Sequence, residues 1–149
     1  MKRKVRATVP KINVRNLQRK VSVDAVHLEK FARKALGLCL RVPRQKTDLV
    51  RLPEISVFIV SDRKIASLHR QFMNEPGPTD VITFQHGEIF IGAETARRNA
   101  RRFGNTLGHE LRLDVVHGLL HLHGFDDRNE GSARKMQIVQ ERILAEAAL

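Results

Sequence analysis

The chain has 149 residues, of which 42% are hydrophobic, and this length and composition are typical of one globular domain spanning residues 1–149. Its 27 lysines and arginines against 16 aspartates and glutamates give a net charge of +11, which favours a polyanionic partner, most simply a nucleic acid. The apolar runs are too short for a membrane span, and no apolar stretch follows the basic N-terminus as in a secretion signal. The single cysteine, Cys39, excludes an internal disulfide and lies in apolar sequence, so a buried thiol in the reducing cytoplasm is expected.

The N-terminal third predicts one strand and one helix. The strand is expected within 5–16, inside a segment, 1–20, that is basic and has no acidic residue. Ser22 or Asp24 can cap a helix that runs to about Leu40. Its apolar residues recur at helical spacing. They are Val23, Val26, Phe31, Ala35 and Leu38.

The next segment predicts a loop, a strand and a helix. The stretch 41–53 is basic, contains two prolines and is typical of a loop. Residues 55–60 are rich in β-branched and aromatic side chains, which predicts a strand buried on at least one face. Ser61 or Asp62 then caps a helix to about Phe72. Its predicted apolar side carries Ile65, Leu68 and Phe72.

The remainder of the chain predicts a hairpin and three helices. Strands at 81–84 and 88–92 have a three-residue connection, which favours antiparallel pairing. Helices are expected over 93–103, about 107–123 and about 129–148, and the middle one is apolar all round and therefore largely buried. The first should bury Ala93, Ala96, Ala100 and Phe103, and the last Met136, Val139 and Ile143. These elements predict an α+β fold, a mixed sheet of about four strands packed with about five helices.

The residues with the clearest chemistry lie at the end of the helix over 107–123. His117 and His121 are four residues apart and therefore share one helix face. Gly124 ends the helix, and Asp127 follows the reversal as a third donor. Two imidazoles and a carboxylate suit Zn²⁺, and three protein ligands leave the fourth position open, as in a catalytic site. We therefore predict one zinc ion held by His117, His121 and Asp127.

Two alternatives remain at this point. A histidine pair at this spacing is commonly a structural pair that satisfies its own hydrogen bonds, although the glycine and the third donor favour a metal. Asp126 competes with Asp127 for the third position. His123 projects from a different face of the helix and is not expected to be a ligand.

Two motifs resemble those of one family, the YbeY family of bacterial metal-dependent endoribonucleases, also called rRNA maturation factors. The segment His117–Asp127 resembles the family pattern His-Gly-x-Leu-His-Leu-x-Gly-Tyr-Asp-His, with Phe125 at the tyrosine position. The segment Pro78–Phe84 resembles Pro-Thr-Asp-Val-Leu-Ser-Phe, and Gly87–Ile89 resembles Gly-Asp-Ile. The resemblance covers roughly residues 54–145, with the motifs in the family's order.

The chain departs from the family pattern at two positions. The third family ligand is histidine, whereas the aligned residue here is Asp127, whose negative charge would make water on the ion less acidic. The family usually has an arginine five residues before the proline of the second motif, where this chain has Met73. Arg70, one helical turn earlier, is a candidate substitute for that arginine.

The resemblance implies a zinc-metalloprotease-like layer arrangement of the sheet and helices. It also implies metal-assisted hydrolysis of single-stranded RNA, in 16S rRNA 3′ end maturation and ribosome quality control. The metal site is centred on His117, the general base is unassigned, and rRNA precursor and ribosomal small-subunit proteins are the expected partners. Basic surfaces would hold the RNA backbone with a salt-dependent affinity. The candidate RNA-binding residues are Arg70, Thr79, Asp80, Arg97, Arg98 and Arg101.

Two other functions compete with this one. A zinc metallopeptidase shares the histidine spacing, but its general base is a glutamate where this chain has Gly118. A non-catalytic or weakly catalytic ribosome-associated RNA-binding assembly factor is the second alternative, because both departures from the family pattern weaken catalysis.

Overall fold

The computed structural model describes residues 9–148, and the first eight residues of the predicted basic segment, with part of the predicted first strand, lie outside it. Four strands and five α-helices are formed in the described part of the chain, as predicted. In chain order they are β1 (Lys11–Asn16), α1 (Ala25–Leu40), β2 (Glu54–Val60), α2 (Asp62–Met73), β3 (Val81–Phe84), β4 (Glu88–Gly92), α3 (Ala93–Phe103), α4 (Leu107–Leu122) and α5 (Glu130–Ala147).

The four strands form one mixed sheet in the order β1-β2-β4-β3. Strand β1 pairs parallel with β2, and β2 pairs parallel with β4. Strands β3 and β4 pair antiparallel, with Val81 opposite Ile91, so the predicted hairpin is confirmed. The α+β class and the mixed sheet are confirmed with it.

The main core lies between one face of the sheet and helices α1, α4 and α5. Alternate residues of β2 are fully buried there because successive side chains of a strand point to opposite faces. Helix α4 contributes apolar side chains all round, as predicted, together with the buried carboxyl groups of Glu110 and Asp114. A smaller cluster under α2 covers part of the other sheet face. The site described below therefore stands on the most buried helix of the protein.

Side-chain oxygens cap the helices where the sequence predicted helix starts. Asp24 accepts a hydrogen bond from the His27 backbone N–H, and Ser61 accepts one from the Lys64 backbone N–H. These two contacts decide between the alternatives Ser22 or Asp24, and Ser61 or Asp62. None of the helices among residues 9–148 combines the length and apolarity needed to cross a bilayer.

Several details differ from the predictions. Val26, Phe72 and Phe103 are 72%, 58% and 61% exposed, although each was expected on a buried helix face. Val26 lies about half a turn from the buried Leu28, and the two phenylalanines lie in the last turns of their helices, beyond the packed layer. The predicted loop 41–53 contains a short 3₁₀ helix that buries its leucine. That helix is Leu49–Arg51.

Cys39 is fully buried, as predicted. Burial raises the pKa of its thiol to about 12, so the sulfur stays protonated and acts as a small apolar side chain in the core.

Candidate metal centre

The histidine pair lies near the C-terminal end of α4. The rings of His117 and His121 meet edge to face with centroids 4.6 Å apart, and their Nε2 atoms lie 3.0 Å from each other. Burial lowers the pKa of His121, and the neighbouring His117 lowers it further, whereas Asp127 acts in the opposite direction. These effects favour a neutral imidazole, which is the form that binds a metal.

Helix α4 can carry these histidines over β4 because Gly118 has no side chain. A Cβ at this position would lie 2.8 Å from Cγ2 of Ile89, which is closer than carbon atoms approach in proteins. The glycine between the two histidines therefore sets how closely α4 packs on the sheet. The closeness of Ile89 also leaves no room for the glutamate that metallopeptidases have at this position.

A reversal after α4 brings the third donor to the pair. Gly124 adopts φ +88°, its N–H donates to the His121 carbonyl, and the Phe125 N–H donates to the Leu120 carbonyl. Asp127 then places Oδ2 at 3.9 Å from Nε2 of His117. One ligand atom from each of His117, His121 and Asp127 lies within 4.8 Å of the other two.

These distances are compatible with three ligands of one metal ion. Tetrahedral coordination at the usual zinc–nitrogen and zinc–oxygen lengths separates ligand atoms by about 3.3–3.5 Å, which is close to the observed 3.0 and 3.9 Å. Asp126 is not part of this group, and its carboxylate accepts a hydrogen bond from the Arg128 N–H instead. The structure therefore brings together the three residues predicted as ligands.

His123, which was not expected to be a ligand, joins the end of α4 to the loop 41–53. Its Nε2–H donates to the Val42 carbonyl at 2.6 Å, so its Nδ1 accepts from the Thr47 hydroxyl at 2.8 Å. Burial lowers the pKa of His123, and Arg44 lowers it further. Arg44 also donates to the Gly124 carbonyl at 2.6 Å and lies over the ring of Phe125. The loop is thereby held against the metal-site reversal.

Comparison with known proteins identifies the relatives of this chain. Residues 13–148 match the family model described as Endoribonuclease YbeY. The chain belongs to this family. Proteins named Endoribonuclease YbeY from Bacteroides thetaiotaomicron and Thermobifida fusca are 36% and 35% identical over 102 and 125 residues. These alignments cover 64% and 70% of this chain, and 74% and 81% of the two relatives.

Two further relatives extend the similarity over most of the chain. An Endoribonuclease YbeY from Acidothermus cellulolyticus is 30% identical over 145 residues, which are 83% of this chain and 84% of that protein. A solution structure of a Thermotoga maritima protein superposes with a TM-score of 0.63 at 27% identity, covering 91% of this chain and 88% of that one. The family resemblance of the motifs is confirmed, and the endoribonuclease is favoured over the peptidase and the assembly factor.

The predicted RNA-binding residues of this YbeY family member occupy different places. Asp80 lines a cavity of about 970 Å³ together with the two histidines, and Thr79 donates to its carboxylate at 3.3 Å. Met73, at the family's arginine position, lines the same cavity. Arg70 instead lines a separate hollow between α2 and the loop that follows it.

The arginines of α3 do not line the metal cavity. Arg98 forms a 2.6 Å ion pair with Asp62, whose other oxygen accepts from the backbone and hydroxyl of Thr95. Arg98 therefore joins α3 to α2 and is less available to RNA than a free arginine. Arg97 and Arg101 project from the same helix without lining this cavity.

The cations that line the cavity are not among the arginines predicted to bind RNA. Lys46 and Arg51 come from the loop 41–53, and Arg128 comes from the turn after Asp127. The composition of the loop had marked it as a basic cluster, but nothing in its sequence relates it to the histidines. The position of the loop depends on contacts made by His123 and Arg44, which are about 80 residues away from their partners.

Asp114, one turn before His117 on α4, is 5% exposed, and its Oδ2 has no hydrogen-bond partner among the described residues. Burial raises the pKa of Asp114 well above its usual value, and the carboxylates of Asp80 and Glu110 raise it further. A buried carboxyl in this environment opposes folding once it ionises.

Replacing Asp114 by asparagine is expected to stabilise the fold at neutral pH. The pKa of the carboxyl is higher in the folded than in the unfolded state, so its cost is absent below the unfolded pKa and develops as pH rises towards the folded one. Urea unfolding of parent and Asp114→Asn should give similar free energies of unfolding near pH 4 and an advantage for the variant that grows as the pH rises from there. An advantage that is constant with pH would contradict this account.

Proposed function

We propose that this chain is a zinc-dependent endoribonuclease specific for single strands, which acts in the cytoplasm on rRNA precursors, including 16S rRNA 3′ end maturation and ribosome quality control. In this proposal residues 1–149 form one catalytic domain. One observation carries the proposal: the group His117, His121 and Asp127 lies in a cavity lined by Lys46, Arg51 and Arg128. A metal site with cations in its cavity suits a phosphodiester better than a peptide.

His117, His121 and Asp127 would hold one zinc ion, and the carboxylate of Asp127 would partly offset its charge. The ion supplies Lewis-acid chemistry, which activates water and stabilises charge on phosphate oxygens. Gly124 fixes the reversal that brings Asp127 to the histidines, and His123 holds the loop 41–53 against that reversal. No side chain in this account is assigned as a general base.

The cations of the cavity would bind the RNA backbone. Lys46, Arg51 and Arg128 are exposed and line the cavity, so their charges can reach phosphates of an RNA strand that enters it. Met73 leaves the α2 side of the same cavity uncharged, and Lys46 and Arg51 would supply the positive charge from the loop 41–53. Backbone contacts carry little sequence information, so docking on ribosomal small-subunit proteins would select the cleavage site.

Cleavage of a short single-stranded RNA tests the proposed function. The purified chain is expected to cut the RNA, to lose this activity with a chelator and to regain it when zinc is restored. The same RNA annealed into a duplex should resist cleavage. Cleavage that continues after complete removal of metal would overturn the metal-centred proposal.

Removing the loop cations is expected to weaken RNA binding. The double variant Lys46→Gln and Arg51→Gln loses two phosphate contacts, so the slope of log affinity against log salt should decrease by about 1.4, at about 0.7 per contact for single strands. Fluorescence anisotropy with a labelled RNA at several salt concentrations measures this slope.

The matched control removes the same charge from α1. Lys30 and Lys34 are exposed and do not line the metal cavity, so the double variant Lys30→Gln and Lys34→Gln should retain the parental slope. If both double variants lowered the slope equally, the RNA would respond to overall charge. If neither lowered it, Lys46 and Arg51 would not bind phosphates.

A further inference from the structure

Gln140 contacts His117 from the side opposite to the proposed metal. Its side-chain Oε1 lies 2.8 Å from Nδ1 of His117. Gln140 stands on α5, and the contact is partly buried because α5 packs against α4. Gln140 is neither a proposed metal ligand nor a proposed RNA-binding residue.

The two ring nitrogens of His117 have different neighbours. Nε2 faces Nε2 of His121 at 3.0 Å and Oδ2 of Asp127 at 3.9 Å, so it is the nitrogen that would bind zinc. A neutral imidazole carries one N–H, and metal binding through Nε2 requires that this hydrogen be on Nδ1. An acceptor at Nδ1 therefore prepares the ring for the metal.

We propose that Gln140 is a positioning residue that accepts a hydrogen bond from Nδ1–H of His117 and so keeps Nε2 free for the ion, an inference that rests on the proposed metal site. The amide oxygen fixes both the tautomer and the rotation of the ring. Such partners of metal-binding histidines raise the basicity of the ligand and lower the cost of ordering it. Gln140 touches neither metal nor RNA in this role.

Three variants separate this role from simple packing. Gln140→Leu keeps a side chain of similar size and removes the acceptor. Gln140→Glu keeps an acceptor at the same distance along the side chain and should rescue the function. Gln137→Leu is the matched control, because Gln137 is an exposed glutamine of the same helix whose side chain hydrogen-bonds only to Glu141 among the described residues, at 3.3 Å.

The first measurement uses the metal-free protein. Two-dimensional ¹H–¹⁵N spectra of the histidine rings at pH 8 report which nitrogen of His117 carries the hydrogen. We expect the Nδ1–H form in the parent, Gln140→Glu and Gln137→Leu proteins, and a shift towards the Nε2–H form in Gln140→Leu. An unchanged tautomer in Gln140→Leu would overturn the proposal.

The second measurement is zinc affinity by competition with a chromophoric chelator. Gln140→Leu should bind zinc about 10-fold more weakly or worse, whereas Gln140→Glu and Gln137→Leu should match or exceed the parent. Equal affinity for parent and Gln140→Leu would refute the positioning role while leaving the zinc site intact. A parent protein that binds no zinc would instead refute the proposed metal site, and the tautomer of the metal-free ring would still decide whether Gln140 sets the state of His117.

Discussion

Replacing His121 by alanine is expected to remove stoichiometric zinc and to reduce RNA cleavage by about 100-fold or more, because a catalytic ion contributes several kcal/mol to the transition state and each 1.36 kcal/mol is a factor of ten. His121 is the half-buried partner of His117, and its Nε2 is 3.0 Å from that of His117. The truncated site would keep one imidazole and the exposed carboxylate of Asp127, too few ligands for tight binding. Elemental analysis and a cleavage assay on the same preparations measure both effects.

Two further variants make this result specific. Asp127→Ala should also lose zinc, since the carboxylate is the third donor of the group. The thermal unfolding of the metal-free protein should change little, because the Asp127 side chain is 54% exposed. His27→Ala removes an exposed imidazole from α1 and should retain about one zinc per chain and full cleavage. Cleavage that persists in both His121→Ala and Asp127→Ala would exclude a mechanism centred on this metal site.

The candidate ligands could be predicted because the geometry that joins them is local. His121 is the fourth residue after His117 on a helix, and a glycine with positive φ follows within three residues. Helix periodicity and the preference of glycine for a left-handed reversal are sufficient to bring Asp127 back to the pair. The same locality explains why the β3–β4 hairpin was predicted correctly.

The surroundings of the site could not be predicted because tertiary contacts determine them. Lys46 and Arg51 reach the cavity through hydrogen bonds that join the loop 41–53 to His123 and Gly124. Gln140 reaches His117 across 23 residues, and no sequence pattern marks it. Arg70 is one turn from Met73 in sequence, yet the two side chains line different hollows. The burial of Phe72 and Phe103 was predicted wrongly for a similar reason. Helical spacing shows which residues share a face, but it does not show where the layer packed against that face ends.

Replacing Gly124 by alanine is expected to lower the free energy of unfolding by about 3 kcal/mol or more, because it adds a steric clash to backbone strain. Gly124 has φ +88°, a conformation that costs alanine about 1–2 kcal/mol. A Cβ built at this position would also overlap the backbone carbonyl oxygen of Lys46. The loop 41–53 cannot yield freely, because His123 and Arg44 hold it to the end of α4. Urea unfolding measured by circular dichroism gives the difference.

Gly77→Ala is the matched control for this prediction. Gly77 has φ +81°, close to that of Gly124, but a Cβ there would have no heavy atom within 4 Å among the described residues. The free energy of unfolding of Gly77→Ala should therefore fall only by the conformational cost of about 1–2 kcal/mol, and the variant should retain its zinc. Gly124→Ala should in addition bind zinc more weakly than Gly77→Ala, since the same reversal carries Asp127 to the histidines. Equal losses of stability in the two variants would mean that the loop moves aside at little cost, and the contact between Lys46 and Gly124 would then not fix the metal site.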